Sequence, residues 1–218
     1  MPVKINLSYP DDMEAQNAAR RYGIRSIPTI TFLSKDGGLI AESIGFLPPE
    51  PFASVMEGAL QAEAAFQEKL AKLKEMPDDV KLNGEVALTY LERMQLEKAI
   101  PYSEKTLKGD ADNTTGLLPN LHTALGAAYG MTPDEDENAE AYRDKAVTHF
   151  RTVIDSYPES DVYEPAQFYL GVVYAIQEKY DKSIEVLEKL VQHATDDNIR
   201  MAAEAQLEQV RDLSQHSD

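Results

Sequence analysis

Two kinds of hydrophobic spacing divide this chain. Over the first sixty positions, short apolar runs alternate with turn residues. Val3 to Leu7 is a short apolar stretch stopped by Ser8-Tyr9-Pro10-Asp11-Asp12, which reads as a turn and a helix N-cap. Met13 to Tyr22 has helical composition and ends on Gly23, a helix-terminating residue. After Pro28, Thr29-Ile30-Thr31-Phe32-Leu33 is rich in β-branched and aromatic residues and predicts a strand. Lys35-Asp36-Gly37-Gly38 predicts a hairpin turn, with Leu39 to Gly45 as the returning strand. Pro48-Pro49-Glu50-Pro51 opens a helix from about Phe52, because proline is tolerated only in a helix's first turn.

Beyond Phe52 the strand signals vanish. Phe52, Val55, Met56, Leu60, Phe66, Leu70 and Leu73 recur at helical spacing as far as Met76-Pro77-Asp78-Asp79. They predict one long helix, or two with a break near Gln61. Helix then follows helix, punctuated near Lys108-Gly109, Gly130-Met131-Thr132-Pro133 and Tyr157-Pro158.

This helical part repeats itself. Leu125-Gly126-Ala127-Ala128-Tyr129 returns 45 positions later as Leu170-Gly171-Val172-Val173-Tyr174. A second helix follows each. One carries Ala146, Phe150, Val153 and Tyr157-Pro158; the other carries Tyr180, Ser183, Leu187 and Leu190. A weaker copy runs from Ala87 to Tyr90 and on to Ala99, Tyr102 and Leu107. A small residue on each helix (Gly126 with Ala146, Gly171 with Ser183) lets the pair approach closely, and Tyr129 and Tyr174 fill the space beside them.

These residues resemble the anchor positions of the tetratricopeptide repeat. The spacing exceeds the repeat's usual length of about 34 residues, and the middle copy carries an insertion from Met131 to Ala141. With its Tyr157-Pro158-Glu159-Ser160-Asp161 connector it is similar to repeats of bacterial cell-envelope scaffold proteins. The resemblance implies an α-solenoid whose first helices line a groove for a protein or peptide client. Its repeat core would be Tyr90, Ala99, Leu125, Gly126, Tyr129, Ala146, Phe150, Leu170, Gly171, Tyr174, Ser183 and Leu187, with Ile199 to Leu213 as a capping helix.

Tyr22-Gly23-Ile24-Arg25-Ser26-Ile27-Pro28-Thr29 resembles the segment leading into the cis-proline of thioredoxin-fold proteins. A strand, the turn Asp36-Gly37-Gly38, a strand ending in Gly45 and a final helix follow in the family's order. Gly45-Phe46-Leu47-Pro48-Pro49 with Phe52 resembles the closing segment. The resemblance implies that Ile27, beside Pro28, presents backbone groups to an extended peptide; a cis-proline that merely shapes the turn is the alternative. The family's Cys-x-x-Cys half would lie before this stretch, so the expectation is a partial fold from a truncated gene product. A sheet without its centre leaves backbone groups unpaired and apolar faces open, which makes self-association through it a further expectation.

The expected fold class is thus mixed α/β then all-α, mostly helical. Residues 1–62 form a partial thioredoxin-like domain, 63–78 a helical connector, and 79–218 tetratricopeptide-like repeats.

Composition narrows the chemistry. The 218 residues hold 21 basic and 38 acidic side chains, a net charge of −17, which argues against nucleic-acid and anionic-membrane partners. No apolar run approaches the roughly 18 residues of a membrane span, and Met1 to Leu7 lacks the h-region of a secretory signal. The expectation is a cytoplasmic location for the chain as written, or a periplasmic or cell-envelope one if an upstream signal was lost. There is no cysteine, which excludes disulfides, thiolate nucleophiles, zinc–thiolate sites and iron–sulfur clusters within the chain.

No catalytic residue, metal ligand or cofactor is assigned. His122, His149, His193 and His216 are scattered, without partners at ligand spacing. Asp134-Glu135-Asp136-Glu137-Asn138 lacks the glycine and closing glutamate of an EF loop. Nucleophile-elbow and phosphate-loop motifs are absent. The function expected is a protein-binding scaffold or co-chaperone-like adaptor, redox-inactive as written. The alternative is a fragment of a thiol–disulfide oxidoreductase whose Cys-x-x-Cys lies upstream of Met1.

Overall fold

A computed structural model describes residues 3–9, 11–133 and 136–216. The chain is 67% helical, with nine helices and one two-stranded antiparallel sheet among the described residues. It divides into two compact units. The first comprises 1–77 with 92–95, and the second comprises 78–91 with 96–218.

In the first unit, Asp12 caps α1 (Met13–Arg21) by accepting the Ala15 N–H at 3.0 Å. The helix stops at Tyr22, and Gly23 takes the left-handed φ of 62° that a side chain would resist. The Tyr22 hydroxyl then donates to the Gly37 carbonyl at 3.0 Å, tying the helix end to the hairpin turn. Strands β1 (Thr29–Leu33) and β2 (Leu39–Ile44) pair with Thr29 opposite Ile44 and Phe32 opposite Ala41, with an irregularity after Phe32. The Ile27–Pro28 peptide is cis.

Helix α2 (Pro49–Glu75) starts on its prolines and runs unbroken past Gln61, so the apolar spacing belongs to one helix. It packs on β2, and its Phe52 also meets Phe32 of β1 at 6.0 Å between ring centroids. Its buried side chains Ala59, Phe66 and Leu73 sit seven residues apart, two turns of one face. The segment Glu92–Gln95 joins this unit through Arg93. That buried guanidinium pairs with Glu63 at 2.6 Å and lies 4.2 Å over the Phe66 ring, while the Arg93 backbone carbonyl accepts the Leu39 N–H. The unit boundary after Pro77 places all of α2, including 63–75, with the sheet.

Val3 to Leu7 forms no strand; Val3 and Ile5 are exposed, and β1 pairs with β2 alone. A strand exists only by pairing, and this segment finds no partner among the described residues.

The second unit is all helix: α3 (Val80–Glu92), α4 (Leu96–Gly109), α5 (Leu118–Gly130), α6 (Ala139–Ser156), α7 (Tyr163–Ile176), α8 (Tyr180–His193) and α9 (Asp197–Gln215). Consecutive helices run antiparallel. Val80 at the start of α3 meets Gly109 at the end of α4, and Gly84 meets Thr106. Likewise Gly126 meets Phe150, and Gly130, one turn on, meets Ala146, one turn earlier. The odd-numbered helices α5, α7 and α9 also touch each other in series, forming one layer.

Two carboxylates brace the connections. Asp110 accepts the backbone N–H and hydroxyl of both Thr114 and Thr115. Burial alone would raise its pKa, but these hydrogen bonds outweigh it and hold the value below the ordinary one. Glu164 accepts the Thr195 N–H and hydroxyl at 2.7 Å and the Asp196 N–H at 3.1 Å, ordering the link from α8 to α9.

Candidate functional site

The helix pairs are built on small residues. A Cβ placed on Gly126 would lie 2.8 Å from the Phe150 ring, and one on Gly171 would lie 2.7 Å from Leu187. Opposite Gly171, the buried Ser183 hydroxyl donates to its carbonyl at 2.7 Å. Leu125, Leu170, Ala99, Ala146, Tyr90, Tyr129 and Tyr174 are buried as well.

A recurring contact accompanies them that the sequence reading missed. Each of the three tyrosines has a lysine from the following helix over its ring. Lys98 lies 6.0 Å from the Tyr90 centroid, Lys145 lies 5.2 Å from that of Tyr129, and Lys182 lies 5.8 Å from that of Tyr174. The signal was present in one letter, since every lysine immediately precedes the small residue Ala99, Ala146 or Ser183. The ring quadrupole attracts the ammonium, so each small-residue contact is flanked by a polar clasp. The backbone echoes this pattern. Met94 and Glu178, which end the turns after α3 and α7, both adopt φ of 58°, rare for residues with a side chain.

The exposed apolar side chains of this unit are unevenly shared among its helices. Among the described residues, its exposed large apolar side chains are Met131, Tyr169, Ile176, Met201 and Leu213. All lie on, or directly after, the odd helices α5, α7 and α9. Tyr169 is held by stacking on Phe150 at 5.9 Å and by an edge contact with Phe168 at 5.6 Å. Positions 78–91 and 96–218 carry 27 acidic and 12 basic residues, a net charge of −15, which leaves −2 for the rest. The odd helices therefore carry the exposed large apolar side chains of a strongly negative unit.

In the first unit, Ile27 is 68% exposed and Pro28 is exposed beside it. Ile30, Leu33, Ile44 and Phe46 are exposed nearby in the chain.

The structure brings His122 and His149 together, although they stand 27 positions apart and sequence spacing gave no hint of it. Their Nδ1 atoms are 2.8 Å apart between α5 and α6. Burial lowers the pKa of both. For His149, the charges of His122 and Lys145 add to that effect and bring it to about 4. His193 and His216 join no such group, and no cluster of three or more metal-ligating side chains occurs among the described residues. Part of the acidic run Asp134 to Asn138 lies outside those residues. No described helix is long and apolar enough to cross a membrane. Comparison with protein-family models, with curated proteins and with solved structures finds no match to this chain.

Proposed function

We propose that the chain is a protein-binding scaffold, an adaptor that holds a basic, amphipathic client segment on the odd-helix layer of its second unit. The observation that carries the reading is the restriction of exposed large apolar side chains, Tyr169 and Ile176 among them, to the odd helices or the residue directly after one, in a unit of charge −15. A rigidly held aromatic is the usual anchor of a protein interface, since it contributes large apolar area at low entropic cost. Negative charge around it raises the encounter rate of a cationic partner and disfavours acidic ones. The resemblance of the repeats to tetratricopeptide arrays, which take peptides along their first helices, agrees with this surface.

Fluorescence anisotropy with a labelled cationic amphipathic peptide tests it, using as control an acidic peptide with the same apolar face. The cationic peptide is expected to bind and to weaken steeply with salt. Tyr169→Glu or Ile176→Glu should weaken it at least tenfold, while helicity is retained. Equal binding of both peptides, or indifference to both substitutions, would overturn the assignment.

A further inference from the structure

The imidazole pair offers chemistry that the client surface does not use. Both rings are neutral near pH 7, because burial disfavours protonation of each and, at His149, the charges of His122 and Lys145 add to it. A neutral imidazole carries one N–H and one lone pair. At 2.8 Å, one ring donates its Nδ1–H and the other accepts with its Nδ1 lone pair. The site thus holds one proton between two nitrogens on two packed helices, and both rings are only half-buried. We propose that His122 and His149 chelate a divalent cation of the copper–nickel–zinc class through their two Nδ1 atoms, with solvent completing the coordination.

The spacing selects within that class. Metal–nitrogen bonds of about 2.0–2.1 Å put two cis ligands of a tetragonal ion about 2.9 Å apart, and two ligands of a tetrahedral ion about 3.4 Å apart. The 2.8 Å contact, set by the shared proton, leaves the two nitrogens close to the tetragonal separation that Cu(II) and Ni(II) prefer, and Cu(II) also heads the affinity order. The ring centroids are 5.1 Å apart and the planes are tilted by 49°. Chelation requires both rings to turn about their Cβ–Cγ bonds until the two lone pairs meet at one point beside the N–N line.

Tyr129 stacks on His149 at 5.8 Å and 5°, and Tyr142 packs on Tyr129 at 5.3 Å, which backs the site. Lys145, 5.2 Å from both tyrosine ring centroids, is the opposing cation; Glu104 on α4 acts on Tyr129 from the other sign. Protons balance simply. The ring that held Nδ1–H passes that proton through solvent to Nε2, so both chelated rings are Nε2–H and no net proton leaves at neutral pH.

The test is titration of the full chain with Cu(II) chloride at pH 7 in non-coordinating buffers. Calorimetry should give one equivalent, with a heat independent of the buffer's ionisation enthalpy. Electron paramagnetic resonance should show two imidazole nitrogens. His122→Ala and His149→Ala should each weaken binding at least tenfold and leave a one-nitrogen spectrum, and Lys145→Gln should tighten it. Should those variants lose helicity, the double variant His193→Ala/His216→Ala decides, because it leaves this pair untouched as the sole histidines. Its spectrum should still show two nitrogens; a one-nitrogen or oxygen-only spectrum would overturn the site.

Discussion

His149 sits among groups that all disfavour its charge: apolar neighbours, the His122 ring and the Lys145 ammonium. Its pKa falls from 6.5 to about 4, so the unfolded chain takes up this proton first as pH drops. Stability from the neutral ring is complete above pH 6.5 and declines as pH falls toward 4, by at most about 1.4 kcal/mol per unit, on the order of 3 kcal/mol in all. Urea midpoints measured at pH 7 and pH 5 should show this loss, and His149→Phe should flatten it. An equal pH slope in that variant would mean the ring is not the group responsible. None of this was readable from the sequence, where His122 and His149 are two scattered residues. A separation of 27 positions becomes contact only through the antiparallel return of α6 along α5. The lysine preceding Ala99, Ala146 and Ser183 is, by contrast, in plain view; matching apolar and small positions alone passes over it.

Among the elements, helix approach is set by what is missing at Gly126 and Gly171. Adding a methyl at either would force it into Phe150 or Leu187, both fully buried and without room to retreat. Gly126→Ala and Gly171→Ala should each cost about 1–3 kcal/mol, the usual penalty of overpacking. This exceeds the gain of roughly 1 kcal/mol that alanine brings to a helix. Chemical denaturation measures the balance, and a net stabilisation at either position would show that the pair relaxes freely. The hairpin, α1 and the helix starting on its prolines were legible because each is specified locally, by turn residues, by the cap Asp12 and by proline's fixed φ. Val3 to Leu7 was not, because an apolar run becomes a strand only beside another one. The possible break near Gln61 was likewise undecidable from spacing, since a polar residue on the open side of α2 need not interrupt it.

At the scale of the whole molecule, charge is unevenly shared, −15 in the helical unit against −2 in the other. Like charges at that density repel within a folded body, and salt screens them. Melting of the helical unit should therefore shift upward by several degrees between 20 mM and 0.5 M sodium chloride, as followed by circular dichroism. An unchanged or lower transition would show that local pairs such as Arg211–Glu188, at 2.6 Å, already compensate the surplus. The chain path has a consequence for dissecting the protein. Arg93 travels with the covalent stretch between α3 and α4, yet its anion and its aromatic floor both belong to α2. A fragment cut to begin at Asp78 would keep the guanidinium and discard Glu63 and Phe66, so no single scissor stroke yields either unit whole.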